Sequence, residues 1–194
     1  RSDAFLIQEN DSLWKDQYLY DLYDKAHTPW EWHGEIMQRA RKCGLLCFSS
    51  PFDESAVDFL ETLDVPAYKI ASFENTDLPL IRRVAETGKP VIISTGMASI
   101  SEIDDAVSTV NSVGNNQCIL LKCTSAYPAS PAESNLLTIP DMREKFGCEV
   151  GLSDHTIGIG AALVAIAHGA SVIEKHLTVS RDDDGVDSAF SIEP

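Results

Sequence analysis

The sequence has few positively charged residues. Against 30 Asp and Glu it has only 15 Lys and Arg, and its formal net charge is −15 over 194 residues. Nucleic acids and anionic membrane surfaces bind proteins through clustered positive charge, so neither is expected as the main partner. No apolar run is long enough to cross a bilayer, and the opening residues RSDAFLIQEN do not have the pattern of a signal peptide. We therefore expect a cytoplasmic protein.

Paired cysteine motifs and phosphate-binding loops are also missing. The five cysteines include no CxxC pair, which favours reduced thiols, and the Asn10-Asp11-Ser12 sequon is then expected to be unused. No GxGxxG or Walker A motif follows an apolar run, which argues against an open nucleotide-binding sheet. With 44% hydrophobic residues the chain can still form a core, and its length predicts one domain.

Six short apolar runs recur along the chain. Each is bounded by Gly, Pro or polar residues and is continuous rather than alternating, which is typical of strands buried on both faces of a parallel sheet. Helical patterns separate them, with capping residues at Asp53, Asp77 and Ser99. This alternation predicts an α/β fold. The runs are Leu45–Ser50, Ala67–Ser72, Val91–Thr95, Cys118–Thr124, Glu149–Ser153 and Ser171–Leu177.

Polar residues collect where these runs end. In a (β/α)8 barrel the active site lies at the carboxyl ends of the strands, so six such ends in succession favour that fold. We predict a TIM-type barrel that is incomplete in this chain, with about six of its eight strands. Residues 1–44 form a helical lead-in, 45–177 six βα units, and 178–194 a loop after the last strand.

Two histidines end successive runs. His155 and His176 would lie on neighbouring strands, close enough to bind one metal ion. Glu174 is two residues before His176 and therefore shares its strand face. Spacing alone leaves two interpretations open, a metal site or a pair of hydrogen-bonded histidines.

Lysines interrupt three of the apolar runs. A buried lysine needs an anionic partner, and Lys69 with the serines at the strand ends would form a cup for phosphate or carboxylate. The alternative is that Lys69 or Lys122 reaches solvent or pairs with a structural carboxylate. Lys175 should face the helix layer.

Six motifs carry a resemblance to a known family. KIASFE (69–74), GKPVIISTGM (88–97), LLKCTSAYP (120–128), GLSDHT (151–156), IEKH (173–176) and GVDSAFS (185–191) resemble the sialic acid synthase family, whose members condense phosphoenolpyruvate with an amino-sugar. HTPWEWH (27–33), LLCFSSPFD (45–53) and GVDSAFS are most similar to the pseudaminic acid synthase branch.

The resemblance also implies the organisation of the protein. Family members begin with two further barrel strands, which carry a catalytic glutamate and a lysine. They end with an antifreeze-protein-like domain that supplies an arginine to the partner subunit. These parts are not in this sequence, so we expect the 194-residue chain alone to turn over poorly. The full-length protein is expected to be a domain-swapped homodimer.

The resemblance further implies roles for individual residues. His155 and His176 match manganese ligands, with Mg²⁺ or Co²⁺ as possible substitutes, and Glu74 is the expected catalytic carboxylate. Ser125 stands where the N-acetylneuraminate branch has asparagine. Positions around phosphoenolpyruvate are matched by Ser50, Lys69, Ser72, Ser94, Ser125 and Ser153, and positions around the sugar by Glu74, Tyr127 and Asp187.

The expected activity is that of a transferase. It would join phosphoenolpyruvate to open-chain 2,4-diacetamido-2,4,6-trideoxy-altrose and give pseudaminic acid plus phosphate. Alternatives are an N-acetylneuraminate or legionaminate synthase, a synthase of phosphorylated keto-sugar acids, a metal-dependent barrel hydrolase, and an inactive barrel fragment.

Overall fold

The strands run parallel and follow one another in chain order. The computed structural model describes residues 2–8 and 13–194, so the Asn10-Asp11-Ser12 sequon lies outside the described residues. The strands are β1 (Tyr68–Ile70), β2 (Val91–Ser94), β3 (Cys118–Cys123), β4 (Glu149–Asp154) and β5 (Ile173–Lys175). Their order in the sheet is β1-β2-β3-β4-β5. A doubly wound sheet would reverse direction at a switch point, and this sheet does not.

Helices separate the strands and precede the sheet. They are α1 (Leu19–Ala26), α2 (Trp30–Lys42), α3 (Glu54–Thr62), α4 (Leu78–Ala85), α5 (Ile100–Ser112), α6 (Thr138–Phe146) and α7 (Gly160–Ala167). Among the described residues, no helix has the length and apolar character needed to cross a membrane.

The predicted helix starts are confirmed. Asp53 caps α3 by accepting a hydrogen bond from the Ala56 amide at 2.9 Å, and Asp77 caps α4 in the same way. Ser99 opens α5 with a capping box, since its backbone amide donates to Glu102 at 2.7 Å while its hydroxyl accepts from the Glu102 amide. Each cap satisfies backbone donors that a helix leaves unpaired.

The two faces of the sheet differ in chemistry because side chains alternate along each strand. One face packs against the helices and forms the core, with Tyr68, Ile70, Val91, Ile93, Leu120, Val150 and Leu152 all buried. The residues between them point to the opposite face. That face carries Lys69, Ser94, Ser153 and Glu174, whose side chains contact one another.

A single contact shows how strongly the sheet curves. Lys69 on β1 and Glu174 on β5 belong to the two edge strands, yet Nζ lies 3.6 Å from Oε2. Five strands in a flat sheet would hold these edges roughly 19 Å apart, farther than the two side chains can bridge. The sheet is therefore curved like part of a barrel wall, which confirms the predicted incomplete TIM-type barrel.

The predicted number of strands is corrected from six to five within the described residues. Leu45–Ser50 makes only one parallel bridge, from Ser49 to Tyr68, with Ser49 O accepting from Lys69 N at 3.3 Å. Leu45 and Leu46 are 62% and 82% exposed. An apolar run forms a strand only where a neighbouring strand pairs with it. The neighbour here is β1, which is only three residues long and pairs with Leu45–Ser50 at Ser49 alone.

Candidate active site

Lys69 is buried on the concave face of the sheet. It is 8% exposed, and Nζ donates to Ser94 Oγ at 2.8 Å and to the Ile70 carbonyl at 3.1 Å. Burial lowers the pKa of Lys69, while the nearby Glu174 carboxylate acts in the opposite direction. The lysine thus does not reach solvent, and its carboxylate neighbour is Glu174, whose Oε2 lies 3.6 Å from Nζ.

Glu174 connects Lys69 to the far side of the sheet. Oε1 accepts from Ser153 Oγ at 2.6 Å, and Oε2 is the atom that faces Lys69. Ser94, Lys69, Glu174 and Ser153 therefore form one polar chain, which we call the anion cluster. The Glu174 side chain is 39% exposed, so the cluster is open to solvent at this end. Sequence reasoning placed Glu174 beside the histidines but missed these two contacts.

Ser72 and Ser125 form a second hydroxyl pair. Ser125 Oγ donates to Ser72 Oγ at 3.2 Å, and Gly96 closes over both. Gly96 has φ +49°, and a Cβ there would lie 2.7 Å from Ser72 Cβ and 2.9 Å from Ser125 Oγ. Only glycine lets the backbone come this close.

Ser50 is half-buried just after the bridge at Ser49, and its hydroxyl makes no hydrogen bond to the described residues. Of the predicted serines, it is the one that the structure leaves outside the hydrogen-bonded groups.

Glu74 follows β1 and is half-buried. Its Oε2 atom is buried and has no hydrogen-bond partner among the described residues. Burial raises the pKa of this carboxyl, and the Lys69 charge only partly offsets that effect. A carboxyl with a raised pKa can exchange a proton closer to neutral pH.

The two histidines meet where β4 and β5 end. Their ring centroids are 5.3 Å apart, and His155 is 6% exposed. His155 Nδ1 lies 2.8 Å from the Thr124 carbonyl, and His176 Nδ1 lies 3.2 Å from Asp187 Oδ2. An Nδ1–H that donates to these oxygens leaves a lone pair on the Nε2 atom of each ring, and the Nε2 atom of His155 also lies 3.4 Å from Ser153 Oγ. Burial lowers the pKa of His155, which favours the neutral imidazole.

This donor set fits a divalent metal ion. Metal-binding histidines usually donate their second ring N–H to a carbonyl or carboxylate, as both rings can here. Within residues 2–8 and 13–194, no group of three His, Cys, Asp or Glu residues converges as a metal site. The two Nε2 atoms are the ligands that this pair would offer to such an ion, which would supply Lewis-acid chemistry when bound.

Aromatic rings enclose the histidine pair. Tyr127 lies 4.3 Å from His155 between ring centroids, and Phe190 lies 5.0 Å from His176. Trp14 is 5.9 Å from Tyr127 and 6.3 Å from Phe190. Burial raises the pKa of Tyr127 to about 12, so its phenol stays protonated at neutral pH. Sequence reasoning missed Trp14 and Phe190, although Phe190 lies in the GVDSAFS motif.

Comparison with known proteins identifies the family. A family model described as the NeuB family matches residues 1–194. Pseudaminic acid synthase from Helicobacter pylori is 48% identical over 193 residues, which cover 100% of this chain and 56% of that protein. The chain belongs to the NeuB family. N,N'-diacetyllegionaminic acid synthase from Campylobacter jejuni is 38% identical, over 92% of this NeuB-family chain and 54% of that protein.

A solved structure agrees with the fold. N-acetylneuraminic acid synthetase from Leptospira borgpetersenii superposes with a TM-score of 0.86 at 37% identity, covering 90% of this chain and 61% of that one. The NeuB-family chain spans about half the length of the curated relatives that it matches.

Within this NeuB-family chain, the predicted site residues fall into adjoining groups. The histidine pair is contacted by Tyr127 and Asp187. Ser153 Oγ lies 3.4 Å from His155 Nε2 and connects the pair to the anion cluster.

Two further lysines, Lys122 and Lys175, lie on the face of the sheet opposite the anion cluster. Lys175 faces the helix layer, as predicted, and pairs there with Asp154. Lys122 shares the side-chain direction of the core residue Leu120 and donates to Thr124 Oγ1 at 2.6 Å, which places it outside the anion cluster.

Proposed function

We propose that this protein is a nonulosonic acid synthase that joins phosphoenolpyruvate to open-chain 2,4-diacetamido-2,4,6-trideoxy-altrose. The products are pseudaminic acid and phosphate. The observation that carries this proposal is the junction of a buried lysine cluster with a two-histidine site through Ser153. The sugar assignment is supported by the pseudaminic acid synthases, which are 45–48% identical, against 38% for the legionaminic acid synthase.

Lys69 and the serine hydroxyls bind phosphoenolpyruvate in this proposal. The Lys69 ammonium already donates to Ser94, and its remaining charge faces Glu174 at 3.6 Å, a distance longer than a direct hydrogen bond. A phosphate or carboxylate oxygen of the substrate can approach closer than that. Charge-assisted hydrogen bonds of this kind fix the orientation of the anion as well as its affinity.

His155 and His176 would hold the metal ion, with Mn²⁺ as our first choice and Mg²⁺ or Co²⁺ as substitutes. When bound, such an ion polarises a carbonyl oxygen as a Lewis acid. The protein's own part is to present both Nε2 atoms, which Thr124 and Asp187 orient through Nδ1. Tyr127 packs against His155 with its ring tilted by 34° and helps to keep the imidazole in place.

The reaction is an aldol-like addition followed by hydrolysis. C3 of phosphoenolpyruvate forms a bond to the aldehyde carbon, and the aldehyde oxygen takes up a proton. Water adds at C2 and releases a proton. The C2–O bond to phosphate then breaks, phosphate leaves with the bonding electron pair, and the new C2 hydroxyl loses its proton to become the keto group. Glu74, whose raised pKa suits proton exchange, gives or accepts one of these protons, while Tyr127 and Asp187 contact the sugar.

The sugar is tested with the complete protein. We expect a higher kcat/KM for 2,4-diacetamido-2,4,6-trideoxy-altrose than for N-acetylmannosamine, with the products identified by mass and the released phosphate measured. Visible reaction with the second sugar is compatible with the proposal, because a site for a deoxy position rejects an added hydroxyl only modestly. Preference for N-acetylmannosamine, or for the legionaminic acid precursor, would reassign the specificity.

The metal is tested by binding. We expect His155→Gln and His176→Gln to abolish turnover and to weaken Mn²⁺ binding, measured by calorimetry or electron paramagnetic resonance, while phosphoenolpyruvate still binds. His168→Gln, at the end of α7, is the matched control and should bind Mn²⁺ like the wild type. Unchanged Mn²⁺ affinity in both site variants would show that the two histidines are structural.

Homodimer formation and a cytoplasmic location belong to the same proposal. Sedimentation of the complete protein and fractionation of the cells that make it test these two points separately.

A further inference from the structure

The backbone ladder between β4 and β5 ends just before the two histidines. The last register pair is Asp154 with Lys175, so His155 and His176 are each the first residue beyond it. Beyond the ladder the two backbones are held by separate partners, because the His155 carbonyl accepts from the Ala129 amide and the His176 carbonyl from the Ile192 amide, each at 2.9 Å. A metal site needs its ligands positioned to within roughly half an ångström, so a contact that joins the two segments directly bears on the separation of the histidines.

Lys175 supplies that contact from the helix side of the sheet. Its Nζ lies 2.9 Å from Asp154 Oδ2 and donates to the Thr156 carbonyl at 2.6 Å. Asp154 Oδ1 accepts from the Thr156 amide at 2.9 Å and from its hydroxyl at 2.7 Å. Both neighbours of His155 are thus tied to the residue that precedes His176.

The burial of these groups argues for a role in geometry. The side chains of Lys175 and Asp154 are 10% and 1% exposed. Burying an ion pair is costly, and apolar residues of similar volume often give equal or better stability at such a place. Apolar side chains could not donate a hydrogen bond to the Thr156 carbonyl. This bond, together with the contact to Asp154, constrains the backbone on both sides of His155.

We propose that Asp154, Lys175 and Thr156 form a clamp of positioning residues that sets the separation of the two imidazoles. The clamp lies on the face opposite the anion cluster, because Ser153 and Glu174 point to the concave side and Asp154 and Lys175 to the helix side. The inference rests on the metal role proposed for the histidines and assigns these three residues a part in it.

The test measures Mn²⁺ affinity in the complete protein. Lys175→Met should weaken Mn²⁺ binding roughly 10- to 100-fold, the usual effect of losing a group that orients a metal ligand. Phosphoenolpyruvate affinity should stay unchanged, since Lys69 is on the other face. Arg83→Met is the matched control, because it breaks a more exposed ion pair, with Asp58, and should leave Mn²⁺ affinity as in the wild type.

A second variant guards against a folding defect. Lys175→Met leaves a buried carboxylate unpaired, so the double variant Asp154→Asn/Lys175→Met, which buries no unpaired charge, is measured alongside it. Weakened Mn²⁺ binding in a folded variant supports the clamp, and wild-type affinity in a folded variant overturns it even if the melting temperature falls. If the wild type itself binds no Mn²⁺, the proposed metal site is wrong, and the clamp proposal falls with it.

Discussion

Replacing Lys69 with methionine separates two roles that a buried lysine can have. A structural lysine is needed by the apo protein, whereas a ligand-binding lysine is needed only when the anion is present. Methionine keeps most of the side-chain volume and removes the charge. If Lys69 is structural, the variant should lose stability; if it binds the ligand, the variant should keep its stability and lose affinity for the anion.

The structure sets the expected change in stability. At 3.6 Å and an effective dielectric constant of about 20, Lys69 and Glu174 attract each other by about 5 kcal/mol before desolvation. Solvent at the 39% exposed Glu174 side chain reduces this value. Burial nevertheless lowers the pKa of Lys69 below 10.5, so desolvation outweighs the attraction. We expect Lys69→Met to leave the free energy of unfolding within about 1 kcal/mol of the wild type, or to raise it.

The sign of the pH dependence follows from the same shift. A lowered lysine pKa means that the folded state binds this proton less tightly than the unfolded state. The stability of the wild type should therefore rise with pH between the lowered pKa and 10.5, and the methionine variant should lack that rise. Urea unfolding of both proteins over this pH range measures the difference.

Binding should change much more than stability. Losing one hydrogen bond to a charged group costs about 1.5–3 kcal/mol, which corresponds to roughly 10- to 150-fold in the Kd for phosphoenolpyruvate. Calorimetry gives the Kd directly, and phosphoenolpyruvate should raise the Tm of the wild type more than that of Lys69→Met. If the variant unfolds without ligand, or binds phosphoenolpyruvate normally, Lys69 is a structural residue and the reasoning is refuted.

Two further substitutions test the concave face. Burial raises the pKa of Glu74, so its ionised form destabilises the folded state above that pKa. Glu74→Gln should raise Tm at pH 7 to 8 and lose this advantage below the usual glutamate pKa. A Tm difference independent of pH would contradict the assignment. Gly96→Ala should cost about 1–2 kcal/mol because of its positive φ, and should weaken phosphoenolpyruvate binding by displacing Ser72 and Ser125. Urea unfolding with calorimetry checks both effects, and unchanged values would show that the loop adapts.

The histidine pair and the direction of Lys175 could be predicted because both depend on local periodicity. His155 and His176 follow apolar runs, and alternation along β5 places Lys175 opposite Glu174. The partner of Lys175 could not be predicted in the same way. Asp154 meets it only because of the register between β4 and β5, which depends on packing across the sheet.

Long-range partners explain the remaining differences. Leu45–Ser50 has the composition of a strand, but it pairs with β1 only at Ser49. Among the aromatic rings around the histidine pair, Trp14 and Phe190 are close in space but distant in sequence. Composition and periodicity contain no information on such contacts, whereas the family motifs locate Phe190 without assigning its neighbours.

The contact between Lys69 and Glu174 also has a consequence for the order of folding. Each strand–helix–strand unit closes over a short stretch of chain, so the apolar core can begin to form while the protein is still being synthesised. The contact between Lys69 and its carboxylate neighbour Glu174 can form only after β5 has been synthesised and has joined the sheet. A nascent chain that ends before β5 can therefore bury its apolar residues without possessing an anion cluster or a histidine pair. Within this chain, the side chains of the anion cluster and of the histidine pair therefore come together only after β5 has joined the sheet.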